Sequence, residues 1–145
     1  MSIITNEMLT AIGVESNTRT YRVDPSAISQ FVEAVGDKNI VYELEHIAPP
    51  TFLRYFDEVP PLLEFPMPYT NILDGGSDWE FYEPVHTGDE ITSTTEVTKI
   101  FEKTGALGHM IFVVRRHRYN RSDSVQIAQQ LSTTIYYSGG PQAGT

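Results

Sequence analysis

The sequence predicts an α+β domain in which an antiparallel sheet wraps a central helix, and three observations lead there. From Trp79 to Tyr137 apolar and polar residues alternate in long runs separated by short turns, as in strands joined by tight connections. Ahead of those runs, Asp24 to Gly36 carries the signals of one well-bounded amphipathic helix. Between the two lies a proline-rich stretch with space for a single short helix. A helix covered by such a sheet buries the apolar face of both elements.

The chain opens on a mixed leader in which residues 6–12 predict a short helix ending at Gly13. Residues 18–23 are β-branched and aromatic and predict a first strand. Asp24 is a good N-cap and Pro25 stands at the first helical position, where its missing N–H costs nothing. Ile28, Phe31, Val32 and Val35 then follow at the spacing of one buried stripe, and Gly36 caps the C-terminus. The prolines at 49, 50, 60, 61, 66 and 68 bracket a short central helix over 51–56. Pro50 or Thr51 opens it, and Pro60 and Pro61 close it because the residue before a proline avoids the helical region. Residues 62–78 predict a loop whose sharpest turn is Gly75-Gly76.

Strands follow over 79–85, 90–101 and 108–119, with turns at 86–89, 103–105 and 121–123. A last strand places Val125, Ile127, Leu131, Ile135 and Tyr137 on one face. The tail over 138–145 is small and flexible in character. There is no internal repeat, so 1–145 predicts one domain with its core over 18–137.

Charge and composition narrow the function. A formal charge of −9 argues against sequence-independent nucleic-acid binding and against a role on anionic membranes. A few local arginines still suffice to hold one phosphate group. No apolar run reaches the roughly 18 residues of a membrane-spanning helix. The N-terminus lacks a basic stretch followed by an apolar block, and there is no cysteine, so the expected setting is cytoplasmic. Without cysteine there is no thiolate metal site, and the four histidines show no metal-ligand spacing; no metal is expected.

Two features carry chemistry. Asp37 and Asn39 lie just past the capped helix, on a loop held by a packed element. They are candidates to face a ligand, or simply turn residues. Arg115, Arg116, His117 and Arg118 form the basic run. On a strand Arg115 and His117 face one way, Arg116 and Arg118 the other. One pair could meet phosphate, or the run is a solvated sheet end or an interface.

Three phrases carry a family likeness: Gly36-Asp37-Lys38-Asn39, then Ile47-Ala48-Pro49-Pro50-Thr51-Phe52, then residues 79–89 from Trp79 to Asp89. With the order of elements they resemble the MaoC-like dehydratases of the hot-dog fold, and most the N-terminal dehydratase-type half of that superfamily. Active members are (R)-specific enoyl-CoA hydratases and 3-hydroxyacyl dehydratases with the motif Gly-Asp-x-Asn-Pro, an aliphatic residue and His. Their aspartate and histidine hold the water that adds across the enoyl bond. Gly36, Asp37 and Asn39 match that motif; Ile40 replaces the proline, and Tyr42 stands where histidine is usual. His46, four residues on, is a possible substitute or a solvent-facing loop residue.

The resemblance implies what these residues do. Asp37 and Asn39 are the catalytic candidates, degenerate because tyrosine titrates near 10 and is a poor shuttle at neutral pH. Pro50, Thr51, Phe52, Tyr42, Arg115 and Arg116 are the substrate-binding candidates. Of these, Thr51 and Phe52 are the candidates to supply backbone N–H groups to the thioester oxygen from the start of the short helix, since Pro50 has none, and the arginines are candidates to meet the phosphates of CoA or of a carrier's phosphopantetheine. No cofactor is implied beyond the CoA or phosphopantetheine of the substrate. The implied partners are an acyl-CoA or acyl-carrier-protein thioester and a second hot-dog chain, either a MaoC-like partner or a copy of itself. The leading expectation is therefore a hydratase or dehydratase subunit that binds the acyl thioester and completes a site whose Asp-His pair lies on the partner. The alternatives are a self-sufficient hydratase using Asp37, a hot-dog thioesterase, and a non-catalytic acyl-thioester binding module.

Overall fold

A computed structural model describes residues 2–16, 18–56 and 65–139. Pro60 and Pro61, the first residues of the predicted 62–78 loop and the end of the tail lie outside the described residues. The elements are α1 (Asn6–Ala11), β1 (Arg19–Arg22), α2 (Pro25–Val35), α3 (Val41–Leu44), a 3-10 segment (Pro50–Phe56), β2 (Asn71–Phe81), β3 (Glu90–Gly105), β4 (Gly108–Arg121) and β5 (Gln126–Tyr137). The strands form one antiparallel sheet in the order β1-β3-β4-β5-β2. The fold is the hot-dog fold.

Register explains how the sheet holds its core. On β4 the odd residues Ile111, Val113, Arg115 and Tyr119 are buried on the concave face, opposite the even residues Tyr136, Thr134, Ser132 and Ala128 of β5. Against that face the 3-10 segment buries Phe52 and Leu53, and α2 contributes Ile28 with Phe31 and Val32 beside it. Phe52 meets Phe31 and Phe56 edge-on, with ring centroids 5.6 Å apart in each pair. Tyr21 of β1 stacks on Phe56 at 4.6 Å and fixes the far end of the segment. A second cluster around Met8, Phe65, Ile111, Val113 and Tyr136 seats α1 at the other end of the sheet.

The central helix falls where expected, over Pro50–Phe56, but it is wound more tightly, as a 3-10 segment. Ala48 N–H is bonded to Val85 and Phe52 N–H to Pro49, so the chain enters in turns rather than in an α-helical register.

Of the stretch read as a loop, residues 71–78 in fact form most of β2. Gly75-Gly76 is not a turn but the bulge at which pairing with β5 shifts between Asp74 and Ser77. Gly75 lies so close to Thr133 that an added Cβ would stand 2.9 Å from its methyl group. Gly76 takes φ 107° and donates its N–H to Asp74 Oδ1 at 2.8 Å.

The last strand also differs. A register shift opposite Tyr119 and Asn120 buries both Ile127 and Ala128. Beyond it the polar residues Gln130, Ser132 and Thr134 face inward, while Leu131, Ile135 and Tyr137 lie on the opposite, half-buried face. The β3–β4 turn falls at Ala106-Leu107 rather than 103–105, because the hairpin pairs through Gly105 and Gly108.

Candidate active site

The helix cap positions the acid. Gly36, at φ 70°, donates its N–H to Glu33, and Asp37 N–H reaches back to Val32, both at 3.1 Å. This double bond pattern is a Schellman motif, and it fixes the Asp37 backbone to the last turn of α2. Asp37 Oδ1 then accepts the Asn39 N–H at 3.0 Å, and Asn39 Oδ1 accepts the Val41 N–H at 3.1 Å. Those bonds start α3, whose first turn carries Tyr42 back over the aspartate. The Tyr42 hydroxyl donates to Asp37 Oδ2 at 2.7 Å.

The electrostatics follow from that geometry. The Tyr42 hydroxyl, and after it the Asn39 N–H, hold the Asp37 carboxyl below the usual carboxylate range. The same bond, followed by desolvation, raises the Tyr42 phenol above its ordinary value. At neutral pH the pair is a carboxylate and a neutral phenol. Neither readily takes a proton from water, so the pair orients a ligand better than it activates one.

Two clefts meet at Tyr42. One, of about 620 Å³, runs along α2 past Ile28 and Val32 and is lined by Asp37, Asn39, Tyr42 and His46. The other, of about 290 Å³, is apolar and bounded by Tyr42, Pro50, Leu53, Phe81 and Val85. The loop between them is tied to the 86–89 turn. Thr87 N–H donates to the carbonyl of His46, which sits at φ 55°, and Ile47 bridges His86.

The structure brings Asp37, Asn39 and Tyr42 together and places Pro50 on the apolar cleft. Thr51 is exposed and lines neither cleft. Phe52 is corrected: its N–H is spent on Pro49 at 2.9 Å and its ring is fully buried in the core, so it is no donor to a substrate oxygen. Neither arginine lines the clefts. Arg115 is buried under the sheet, while Arg116 pairs with Glu96 at 2.9 Å on the other face.

Phe81 stacks on Trp79 at 5.3 Å yet is 43% exposed at the cleft. Leu53 was not singled out by sequence. Its position directly after the buried Phe52 was the available signal, since adjacent residues of a tight helical turn face different surroundings.

The description FAS1-like, dehydratase domain region, matches residues 10–130. The chain belongs to this FAS1-like dehydratase family. It is similar to the UPF0336 protein SCO4636 of Streptomyces coelicolor, 32% identical over 103 residues that span 61% of this chain and 69% of that protein. In structure this FAS1-like dehydratase chain superposes on a chain of the ChsH1-ChsH2 complex from Mycobacterium tuberculosis with a TM-score of 0.73 at 16% identity, over 89% of this chain and 87% of the other. The (R)-hydratase from A. caviae involved in PHA biosynthesis gives 0.64 at 15% identity, over 85% and 94%. The fold is thus that of MaoC-like dehydratases and (R)-hydratases. Among the described residues of this FAS1-like dehydratase chain, no helix is long and apolar enough to cross a membrane.

Proposed function

We propose that the chain is a subunit of a two-chain enoyl-thioester hydratase or 3-hydroxyacyl dehydratase, binding the acyl thioester while an Asp-His pair on a partner hot-dog chain performs the proton transfers. The observation that carries this reading is the 2.7 Å bond from Tyr42 to Asp37. Tyr42, at the position expected for histidine, is a phenol that donates to the acid instead of an imidazole that relays a proton. The acyl chain lies in the apolar cleft beside Pro50, Leu53 and Phe81, and the thioester end lies near Tyr42, where the two clefts meet. CoA or phosphopantetheine enters only as part of the substrate.

A partner chain is supported by two observations. β2 is an edge strand of 11 residues, exposed along all but Trp79, and offers its unpaired backbone to a second sheet. The structurally similar chain from Mycobacterium tuberculosis belongs to the ChsH1-ChsH2 complex. The test is to mix the purified chain with crotonyl-CoA and follow both binding and enoyl absorbance. Binding without loss of absorbance is expected. Rapid hydration by the chain alone would contradict the reading, and release of free CoA would indicate a thioesterase.

A further inference from the structure

Arg115 is the anomaly of the concave face. It is 3% exposed, yet its guanidinium has one long bond, from Nη1 to Thr134 Oγ1 at 3.5 Å. Its Nη2 has no hydrogen-bond partner. Among the described residues no carboxylate pairs with it; Glu96, across the sheet, is taken by Arg116 and Arg118. On the same inward face of β5, Tyr136 is 1% exposed and its hydroxyl is also without a partner.

The surroundings favour negative charge. Ser132 stands directly opposite Arg115, and Thr134 lies between Ser132 and Tyr136 along the inward face. The next inward residue of β4, His117, is engaged at both ring nitrogens, by Thr95 and Ser132, each at 2.9 Å. Burial, then the charges of Arg115 and Arg54, hold it down to about 4, so it stays neutral and adds no second positive charge beside Arg115. A buried guanidinium without a counter-charge is strongly unfavourable. A core this well patterned elsewhere would carry an aliphatic residue there unless the charge had a use. The planar fork of arginine matches a carboxylate. Four residues along β5 from Ser132, Tyr136 offers an unpartnered hydroxyl on the same inward face.

We propose that Arg115 and Tyr136 form a carboxylate-binding site on the concave face of the sheet. The carboxylate is the distal end of a dicarboxylic acyl thioester or that of a free long-chain dicarboxylate. The first source rests on the acyl-thioester reading above. Phe81, at the apolar cleft, pairs with Ala128, and four residues further along β5 Ser132 pairs with Arg115. That is about 14 Å along the strand, a span suited to a chain of roughly twelve carbons.

Calorimetric titration of the purified full chain with dodecanedioyl-CoA and with lauroyl-CoA, beside thermal shifts with free dodecanedioate, tests both sources. The expected result is dodecanedioyl-CoA binding about tenfold or more tighter than lauroyl-CoA, as a charge-assisted pair provides. R115M abolishes that preference. Y136F, which removes an unpartnered hydroxyl and so keeps the fold, reduces it severalfold. If lauroyl-CoA binds and the diacid ester binds no tighter, the carboxylate site is overturned and the acyl reading stands; this comparison needs no variant. If neither ester binds but free dodecanedioate stabilises the wild type and not R115M, the carboxylate site stands and the acyl reading falls. No binding of either ester and no stabilisation by the free acid would overturn both.

Discussion

The Tyr42 hydroxyl lies 2.7 Å from Asp37 Oδ2 and donates its proton to it. The bond joins the residue after a helix cap to the first turn of the next helix. It converts a loop acid into one half of a hydrogen-bonded pair, and four expectations follow from the way that pair and its scaffold are built.

Replacing Tyr42 by histidine places an imidazole where the family motif carries one. The variant Tyr42→His is expected to gain measurable hydration of crotonyl-CoA, on the order of 10²-fold over the parent chain, the usual contribution of a positioned acid-base group. Loss of enoyl absorbance checks it. The companion variant Tyr42→Phe removes the main cause of the lowered Asp37 carboxyl, so that group returns toward the ordinary range, as a carboxyl-carbon NMR titration would show.

Gly36 tests whether the cap sets the site. Its φ of 70° is the left-handed region, and nothing lies within 4 Å of an added Cβ. The cost of Gly36→Ala is therefore backbone strain alone, about 1–2 kcal/mol. Chemical denaturation measures that loss, and the Asp37 titration should shift with it because Asp37 N–H belongs to the same motif.

The bulge in β2 gives an independent check on the sheet. Gly75→Ala pushes a methyl against both the side chain and the backbone of Thr133, at 2.9 and 3.1 Å. Overpacking of this kind costs about 1–3 kcal/mol. Denaturant midpoints of the wild type and variant would show it.

His117 governs an acid limb of stability. In the unfolded chain its imidazole titrates near 6.5, and in the fold near 4. Between those values the unfolded state binds a proton that the folded state refuses, so stability falls as pH drops from 6.5 to 4 and is flat above that window for this group. The full loss is on the order of 3 kcal/mol. His117→Gln should flatten that limb, as urea midpoints at pH 4.5 and 7.5 would reveal.

Much of this was legible in the sequence because local rules decided it. Asp24, Pro25 and Gly36 bound α2 as the capping rules require, and that alone places Asp37 and Asn39 beyond a helix end. The alternation of β4 is likewise local. What failed depended on distant pairing. Gly75-Gly76 carries the composition of a turn, and only the partner strand β5 makes it a bulge. The inward face of β5 is polar at Gln130, Ser132 and Thr134, against the apolar pattern of Leu131 and Ile135, because a register shift at Ala128 sets the face. Phe52 was misassigned for a related reason: whether its N–H is free depends on how Pro49 enters the segment, which composition does not encode.

The measurement that bears most directly on the half-site is a complementation assay. The chain is purified alone and with a co-expressed hot-dog chain that carries an intact Asp-x-Asn-Pro-x-His motif, and crotonyl-CoA hydration is compared. The account predicts a stable two-chain complex that turns over while this chain alone does not, and retained activity when this chain carries Asp37→Asn. Full turnover by the purified chain alone, abolished by Asp37→Asn, would contradict it.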